Sequence, residues 1–367
     1  MVDFTKHAKQ VSSKIVAENA LNAVVITGAS NIFYVSGSDA PTAVIIYEDG
    51  SVVALATRLE YLRASAEIRV GELYAYARQG DFAEHERVLQ GDLYDAVKLL
   101  IPFSKDGKVG LAGVAANSRQ QWEEKIGVKF IDITSELIKL RRTKDETELN
   151  AIKQAIRLAE QAMRKAIDAL ERGVTESDIA AEILNSIVRN GAQPAFQPIV
   201  AFGEHAAQPH AKLTLRTLQP GDIIKIDLGA KAEGYCSDIT RTFAFGKESE
   251  QQRKLFRAVI KAQEMALGCI SVGVKASDVH LKAYEVFKEE GVSKYFNHGL
   301  GHGVGIEVHE EPYLNSESTT PLAWGDVLTV EPGVYLPGYG GIRIEDMVLV
   351  TDEGPQLLTS FPKEFSL

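Results

Sequence analysis

The sequence predicts an α+β protein of two domains, an α/β domain over residues 1–140 and a second domain over residues 141–367. In the first domain, short apolar strands alternate with helices. In the second, long amphipathic helices are followed by strands that form hairpin patterns, which favours a mostly antiparallel sheet covered by helices. The boundary is placed where the composition changes, at the charged run that begins at Arg141.

The composition is that of an ordinary globular protein. The 367 residues are 45% hydrophobic and 25% charged, and the formal net charge is −10. This negative charge argues against nucleic acid or an anionic membrane as a partner. Neither a secretory signal nor a membrane span is expected, and two cysteines are too few for a disulfide framework. We therefore expect a cytoplasmic protein.

The N-terminal domain shows secondary structure but no chemistry. A hairpin is predicted from residues 43–47 and 51–55, because the Asp49-Gly50 pair between them suits a tight turn. The other expected elements are helices near 3–20, 89–101 and 117–126 and strands near 23–27, 108–112 and 128–133. No phosphate loop or dinucleotide fingerprint is present.

The second domain begins with two amphipathic helices. A capping box from Thr143 to Glu146 is expected to start the first helix, which Gly173 ends. A second box, from Thr175 to Asp178, starts a helix that runs to about residue 189. Two further helices are expected near 249–269 and 276–290.

A predicted hairpin over residues 224–242 carries one carboxylate on each arm, Asp227 and Asp238. A folded-back hairpin brings both to one place, and a carboxylate late in an apolar strand is costly to bury unless it is paired or bound to a metal. Taken alone, this pattern fits two exposed turn aspartates as well as it fits a metal site.

The C-terminal third adds histidines and two more carboxylates. Three of the eight histidines fall within residues 298–309, where glycines at alternate positions let the backbone approach something closely. Glu331 ends an apolar strand, and residues 340–346 read as another strand on which Arg343 and Glu345 share a face. Carboxylates with imidazoles suit Mn²⁺, Co²⁺, Fe²⁺ or Zn²⁺. Two divalent cations would balance four neighbouring carboxylates, which otherwise raise each other's pKa.

These motifs resemble the pita-bread metallopeptidases, and within them the branch that cleaves before proline. The resemblance rests on five residues in motif context, together with the segments 301–305, 308–312, 330–333 and 341–346. The five residues are Asp227, Asp238, His302, Glu331 and Glu345. The N-terminal domain is similar to the creatinase-type domain of that branch, so the resemblance covers nearly the whole chain. It implies a creatinase-like N-terminal domain followed by a pita-bread domain with a curved, mostly antiparallel sheet.

The resemblance also implies roles for individual residues. Two metal ions would share Asp238 and Glu345. Mn²⁺ or Co²⁺ is the preferred identity, and Zn²⁺ or Fe²⁺ is the alternative. Asp227 would bind one ion alone, and His302 and Glu331 would complete the other. A water or hydroxide shared by the ions would be the nucleophile.

The remaining implied roles concern substrate. Glu331 would shuttle a proton, and His309 would stabilise the tetrahedral intermediate. His210 and His298 would frame the substrate. Arg343 would orient Glu345 from the same strand face. Arg343 is also expected to bind substrate, since it or the N-terminal domain of a partner subunit could hold the dipeptide carboxylate. A homodimer is implied as well, since in this family the N-terminal domain caps the neighbouring subunit's site.

Three activities fit the motifs. The first is an Xaa-Pro dipeptidase, or prolidase, and the second is an aminopeptidase P acting on longer peptides with proline second. The third is a non-peptidase relative such as creatinase, which the intact ligand set disfavours. The compact chain favours dipeptides. Tyr313 favours longer peptides, because prolidases often place an arginine for the dipeptide carboxylate in the segment after Pro312.

Overall fold

The computed structural model describes residues 1–101 and 108–367 and divides into two compact units. One unit comprises residues 2–141, and the other comprises residues 142–367 together with Met1. Within the described ranges, no helix is long and apolar enough to cross a membrane. Both cysteines, Cys236 and Cys269, are free thiols.

The N-terminal unit alternates helices with short strands, as predicted. The first helix continues as a π-helical turn over Ser12–Ala17. The elements are α1 Phe4–Val11, β1 Ala23–Ile26, α2 Ala29–Ser36, β2 Ala43–Tyr47, β3 Val52–Thr57, α3 Tyr61–Glu67, β4 Glu72–Ala77, β5 Val88–Gln90, α4 Leu93–Leu100, β6 Val109–Ala112, α5 Ala116–Ile126, β7 Phe130–Asp132 and α6 Thr134–Arg142.

A seven-stranded mixed sheet forms the centre of this unit, in the order β5-β4-β3-β2-β1-β6-β7. The predicted hairpin is present as β2 and β3, with Ala43 opposite Leu55. The helix expected from residue 89 begins only at Leu93, because the Asp92 side chain caps it and the residues before it form β5.

Four long helices of the second unit follow the predicted positions, with two corrections. They are α7 Glu146–Asp168, α8 Glu176–Arg189, α9 Glu250–Leu267 and α10 Ala276–Glu289. The Thr175–Asp178 capping box of α8 is confirmed. The box of α7 runs from Asp145 to Glu148 rather than from Thr143 to Glu146, because the Asp145 carboxylate accepts from the amides of Thr147 and Glu148. This helix also ends at Asp168, five residues before Gly173.

The named strands of this unit pair antiparallel, as the hairpin patterns predict. They are β8 Gln193–Pro194, β9 Ile199–Phe202, β10 Ile223–Leu228, β11 Ala230–Ala232, β12 Tyr235–Cys236, β13 Ile239–Ala244, β14 Gly301–Gly303, β15 Glu310–Leu314, β16 Val327–Val330, β17 Gly333–Leu336, β18 Gly340–Arg343, β19 Asp346–Thr351 and β20 Gly354–Leu357. Their sheet orders are β13-β10-β9, β12-β11-β8, β15-β14-β16-β19-β20 and β17-β18.

The two faces of β10 carry different kinds of side chain, and one face is buried in an apolar core. Ile224, Ile226 and Leu228 are buried in the core that also contains the apolar stripes of α7 and α8. Since side chains alternate along a strand, Lys225 and Asp227 point to the opposite face. A second core, formed by α9 and α10 with β16, β18 and β19, supports the strands that carry the C-terminal carboxylates.

The strand predicted over residues 340–346 is interrupted. Strand β18 ends at Arg343 and β19 begins at Asp346. Between them, the Glu345 amide donates to the Thr240 carbonyl at 3.1 Å. Ile344 and Glu345 therefore belong to a crossing between two sheets rather than to one continuous strand.

Candidate metal centre

A pocket of about 290 Å³ in the second unit gathers the predicted site residues. All nine line it, although they are separated by up to 135 positions in the chain, from 210 to 345. These residues are His210, Asp227, Asp238, His298, His302, His309, Glu331, Arg343 and Glu345. Apolar and aromatic side chains complete the wall, namely Phe196, Ile199, Val308 and Tyr313, together with Pro209.

The two aspartates come from the paired strands β10 and β13. Their register places Asp227 opposite Thr240, so Asp238 lies just before the first residue of β13. Gly229 permits this arrangement, because a Cβ there would overlap the carbonyl oxygen of Ser237 at less than 3.0 Å. Both carboxylates are buried, with 7% of Asp227 and 5% of Asp238 exposed.

The other three predicted ligands come from the five-stranded sheet. His302 lies on β14, Glu331 follows β16 and Glu345 precedes β19. The Nε2 atom of His302 is 3.3 Å from Glu331 Oε1 and 3.8 Å from Asp238 Oδ2. Ligand atoms of Asp238, His302 and Glu345 all lie within 4.8 Å of one another, close enough to share one ion.

The glycines around His302 allow strands, not a ligand, to approach closely. A Cβ on Gly301 would overlap the Thr329 carbonyl, and one on Gly303 would overlap the Glu311 carbonyl, both at less than 3.0 Å. The predicted close approach is therefore confirmed. It packs β14 tightly between its neighbours and so fixes the backbone of His302.

Polar side chains outside the predicted set hold the carboxylates. The Thr240 hydroxyl donates to Glu345 Oε2 at 2.6 Å and accepts from Arg343 Nε at 3.0 Å. The Thr329 hydroxyl accepts from the His302 amide at 3.0 Å and lies 3.3 Å from Glu331 Oε1. These contacts orient metal ligands from behind, as is usual around protein metal sites.

Arg343 pairs with a different carboxylate from the one the sequence suggested. Its Nη2 donates to Asp227 Oδ2, and its Nη1 donates to the Tyr335 hydroxyl at 2.8 Å. Arg343 reaches Glu345 through Thr240, whose hydroxyl accepts from Arg343 Nε and donates to Glu345 Oε2. The expected role of Arg343 in orienting Glu345 stays a prediction.

Three buried oxygens indicate that the site fits divalent cations. Asp227 Oδ1, Asp238 Oδ1 and Glu345 Oε1 have no hydrogen-bond partner in the described part of the chain. Burial and the charge of neighbouring carboxylates raise the pKa values of Asp238 and Glu345. A cluster of this kind costs free energy unless positive charge compensates it. Oxygen ligands with an imidazole are the donor set that Mn²⁺, Co²⁺, Fe²⁺ and Zn²⁺ accept.

Glu331 behaves differently from those two carboxyl groups. Burial acts to raise its pKa, but the hydrogen bond to His302 and the charges of His302 and Arg343 outweigh burial and lower the pKa to about 2. Glu331 is therefore held as a carboxylate beside His302, the form that can bind a cation.

His298 is held as a neutral imidazole. Burial lowers its pKa to about 4. Its Nδ1 lies 2.6 Å from the Gly299 carbonyl, so this nitrogen carries the proton. Its Nε2 therefore carries no proton and accepts from the hydroxyl of Tyr335 at 3.0 Å.

The other two pocket histidines differ in their surroundings. His309 packs edge-on against His302, with ring centroids 4.3 Å apart. Burial, followed by the charge of His302, lowers the pKa of His309. His210 is exposed, and no side-chain hydrogen bond of His210 is found among the described residues. Its position therefore depends on the backbone that carries it.

Sequence reasoning did not find Thr240, Thr329, Tyr335 or Lys225. For Thr240 a signal existed, since it lies two residues after Asp238 and its side chain therefore shares that face of the strand. Lys225 carried the same kind of signal, two residues before Asp227. Thr329 and Tyr335 carried none, because hydroxyls on apolar strands are common.

Comparison with known proteins agrees with this geometry. Residues 150–352 match the model of metallopeptidase family M24, and residues 12–143 match that of the creatinase/prolidase N-terminal domain. The Xaa-Pro dipeptidase of Pyrococcus furiosus is 34% identical, over 96% of this chain and 97% of the relative.

Two solved structures extend the likeness to the whole fold. The prolidase from Pyrococcus horikoshii has a TM-score of 0.85 at 31% identity and covers 98% of this chain and 99% of that one. The X-Pro aminopeptidase from Thermotoga maritima has a TM-score of 0.84 at 32% identity, with coverage of 97% and 99%. The chain belongs to metallopeptidase family M24. It combines a creatinase-type N-terminal domain with a pita-bread catalytic domain.

Proposed function

We propose that this metallopeptidase hydrolyses the peptide bond before a proline, and that Xaa-Pro dipeptides are its preferred substrates. The observation that carries the proposal is the single pocket in which five metal-ligand side chains face His210, His298 and His309. The relatives at 31–34% identity that are named prolidase or Xaa-Pro dipeptidase support the same substrate class.

The metal ligands are proposed as follows. Asp238 and Glu345 would be shared by two divalent ions, for which Mn²⁺ or Co²⁺ is preferred and Zn²⁺ or Fe²⁺ is the alternative. Asp227 would hold one ion, and His302 and Glu331 would hold the other. The unpartnered oxygens of Asp227, Asp238 and Glu345 support this assignment. When bound, such ions supply a Lewis acid and lower the pKa of a water molecule toward neutrality.

One of these ligands, Glu331, transfers protons, and the histidines beside the ligands hold the substrate. Glu331, ionised beside His302, accepts a proton from the attacking water and delivers it to the leaving amine. His309 donates a hydrogen bond to the oxygen of the scissile carbonyl, where negative charge develops. His210 and His298 hold the proline ring, which offers no N–H. Arg343 lines the pocket and contacts Asp227, Tyr335 and Thr240, so we assign it an indirect effect on the substrate through these residues.

An aminopeptidase P activity on longer peptides is the second candidate. Tyr313, not a cation, lines the pocket beyond Pro312, and Arg343, the one arginine or lysine among the lining residues described, is already engaged by Asp227, Thr240 and Tyr335. The likeness to an X-Pro aminopeptidase at 32% identity supports this reading. A non-peptidase role, as in creatinase, is disfavoured by the complete ligand set.

The two activities are separated by substrate length. We would compare kcat/KM for Ala-Pro and Ala-Pro-Ala, with Ala-Ala as a control, after loading with each of several divalent metals. A dipeptidase prefers Ala-Pro to Ala-Pro-Ala. The reverse preference would leave aminopeptidase P, and cleavage of Ala-Ala at the rate of Ala-Pro would remove proline specificity.

We further propose that the enzyme is a cytoplasmic homodimer. The free thiols of Cys236 and Cys269 suit a reducing compartment. The N-terminal unit is a folded domain to which we assign no chemistry. A role in assembly of the dimer would account for its presence. Sedimentation should therefore give about twice the 40.1 kDa mass of the chain, and an active monomer would refute the dimer.

A further inference from the structure

A buried lysine lies beside the pocket without an assigned role. Lys225 is 0% exposed and shares the face of β10 that carries Asp227. An isolated ammonium group in such a place costs several kcal/mol unless its donors are satisfied. The groups that surround Lys225 therefore indicate why it is there.

Three backbone carbonyls surround the Lys225 ammonium. Its Nζ donates to the carbonyl of Gln208 at 2.5 Å and to those of Ala206 and Pro209 at 3.2 Å each. Burial and the charge of Arg343 lower the pKa of Lys225. Three carbonyl acceptors nevertheless match the three N–H donors of the ammonium form, whereas a neutral amine has only two. The ring of Tyr335 lies 5.1 Å from Nζ and adds a cation–π contact.

These carbonyls belong to the segment that carries His210. Residues 203–207 form a 3-10 turn, and Pro209 and His210 then enter the pocket wall. Arg343 Nη1 also approaches the Pro209 carbonyl, at 3.3 Å. On the other side of the segment, the Ala206 carbonyl packs against Gly341. A Cβ on Gly341 would overlap this carbonyl oxygen at less than 3.0 Å. The segment is thus held from two sides.

The side chain of His210 contributes little to its own placement. It is exposed, and we find no hydrogen bond from its imidazole within the described ranges. The backbone of residues 206–209 then sets the position and direction of the Cα–Cβ bond from which the imidazole extends. A cation bound to three of its carbonyls restricts that backbone far more than one hydrogen bond would.

We propose that Lys225 is a positioning residue, which binds the carbonyls of Ala206, Gln208 and Pro209 and so fixes His210 against the substrate. The part of this inference that concerns substrate rests on the proposed function. Lys225 itself touches neither substrate nor metal ligand. Its effect on turnover passes through His210.

The first test measures the segment itself and is independent of activity. In Lys225→Met, amide hydrogen exchange over residues 203–212 should become at least several-fold faster, while metal content stays at the wild-type value. Lys261→Met is the matched control, because the same change removes a lysine that pairs only with exposed or half-buried glutamates on helix surfaces. Unchanged exchange in Lys225→Met would overturn the proposal.

The second test measures whether Lys225 acts through His210. For Ala-Pro, kcat/KM should fall roughly 10-fold or more in Lys225→Met, mostly through KM, because misplaced contact groups cost about this much. On a His210→Ala background the same change should cost less than about 2-fold, since the two residues act as one unit. Two full, multiplicative losses would contradict the assignment.

A third variant covers the case in which Lys225→Met does not fold. Lys225→Gln keeps two N–H donors and should restore part of the exchange protection and of the KM. If Lys225→Gln folds but its amide hydrogens over residues 203–212 exchange without any protection, the positioning role of Lys225 is also rejected. If the wild type cleaves no proline peptide, the proposed substrate class fails, and the exchange measurement still decides the role of Lys225.

Discussion

Single hydroxyl groups in this site connect a metal ligand to the protein behind it. Thr240 is the clearest case, because its oxygen joins Glu345 to Arg343. Removing such a contact leaves the ligand in place but free to rotate. Ligand geometry, rather than ligand identity, is then what the variant changes.

Thr240→Val tests this idea. We expect the affinity for Mn²⁺ to fall about 10- to 100-fold, the usual range for loss of a contact behind a ligand. Equilibrium dialysis of metal-free protein against Mn²⁺ measures it. Thr351→Val is the control, since its hydroxyl donates to the Gly354 carbonyl and accepts from the Glu353 amide at the turn between β19 and β20. Equal affinities in the two variants would contradict the role of Thr240.

The protonation of His298 gives a second prediction at this scale. Burial lowers its pKa to about 4, against the opposing effect of Glu331, so His298 stays neutral from pH 5 to pH 8. Because the unfolded chain takes up this proton near pH 6.5, the group lowers the free energy of unfolding as the pH falls from 6.5 towards 4. Its imidazole NMR signal, assigned with His298→Gln, should show no titration between pH 5 and 8. A midpoint near 6.5 would contradict this.

Strand β14 carries its ligand between two close neighbours. Gly301→Ala should lower the free energy of unfolding by about 1–3 kcal/mol or more, because the new methyl group meets the Thr329 carbonyl and backbone cannot move aside easily. Gly268→Ala, at the C-terminal end of α9, has a helical φ of −64° and its nearest neighbour at 3.4 Å. In urea denaturation, the free energy of unfolding of Gly268→Ala should be unchanged or slightly higher than that of the wild type. Equal costs would refute the packing argument.

The elements also show what local sequence can and cannot predict. The cap of α8 was predictable because Thr175 and Asp178 form a single capping pattern. At α7 two patterns overlap, Thr143 with Glu146 and Asp145 with Glu148, and the sequence does not choose between them. The interruption after Arg343 was not predictable, since it depends on a hydrogen bond from Glu345 to a carbonyl more than 100 positions away.

At the scale of the molecule, the residues that line the pocket were visible in the sequence, whereas the contacts among them were not. Alternation along strands places Arg343 and Glu345 on one face. It cannot say that Arg343 meets Asp227, which is 116 positions away in the chain and lies in another sheet. Pairings of this kind arise only when two sheets come together. The charge of Arg343 also helps to lower the pKa of Glu331.

The proposed function makes the whole molecule depend on bound metal. In that proposal, Asp238 and Glu345 would be shared by two ions that are required for turnover. Elemental analysis combined with the Ala-Pro assay is the most direct test. The matched pair of variants is Asp238→Ala, which removes a bridge, and His309→Ala, which removes only a group assigned to the substrate.

We predict two ions per wild-type chain, and loss of both metal and activity in Asp238→Ala. His309→Ala should keep both ions while turnover falls by roughly 10²-fold or more, the scale for one oxyanion donor. An Asp238→Ala protein that retained two equivalents of metal, or a wild type fully active after chelation, would contradict the account.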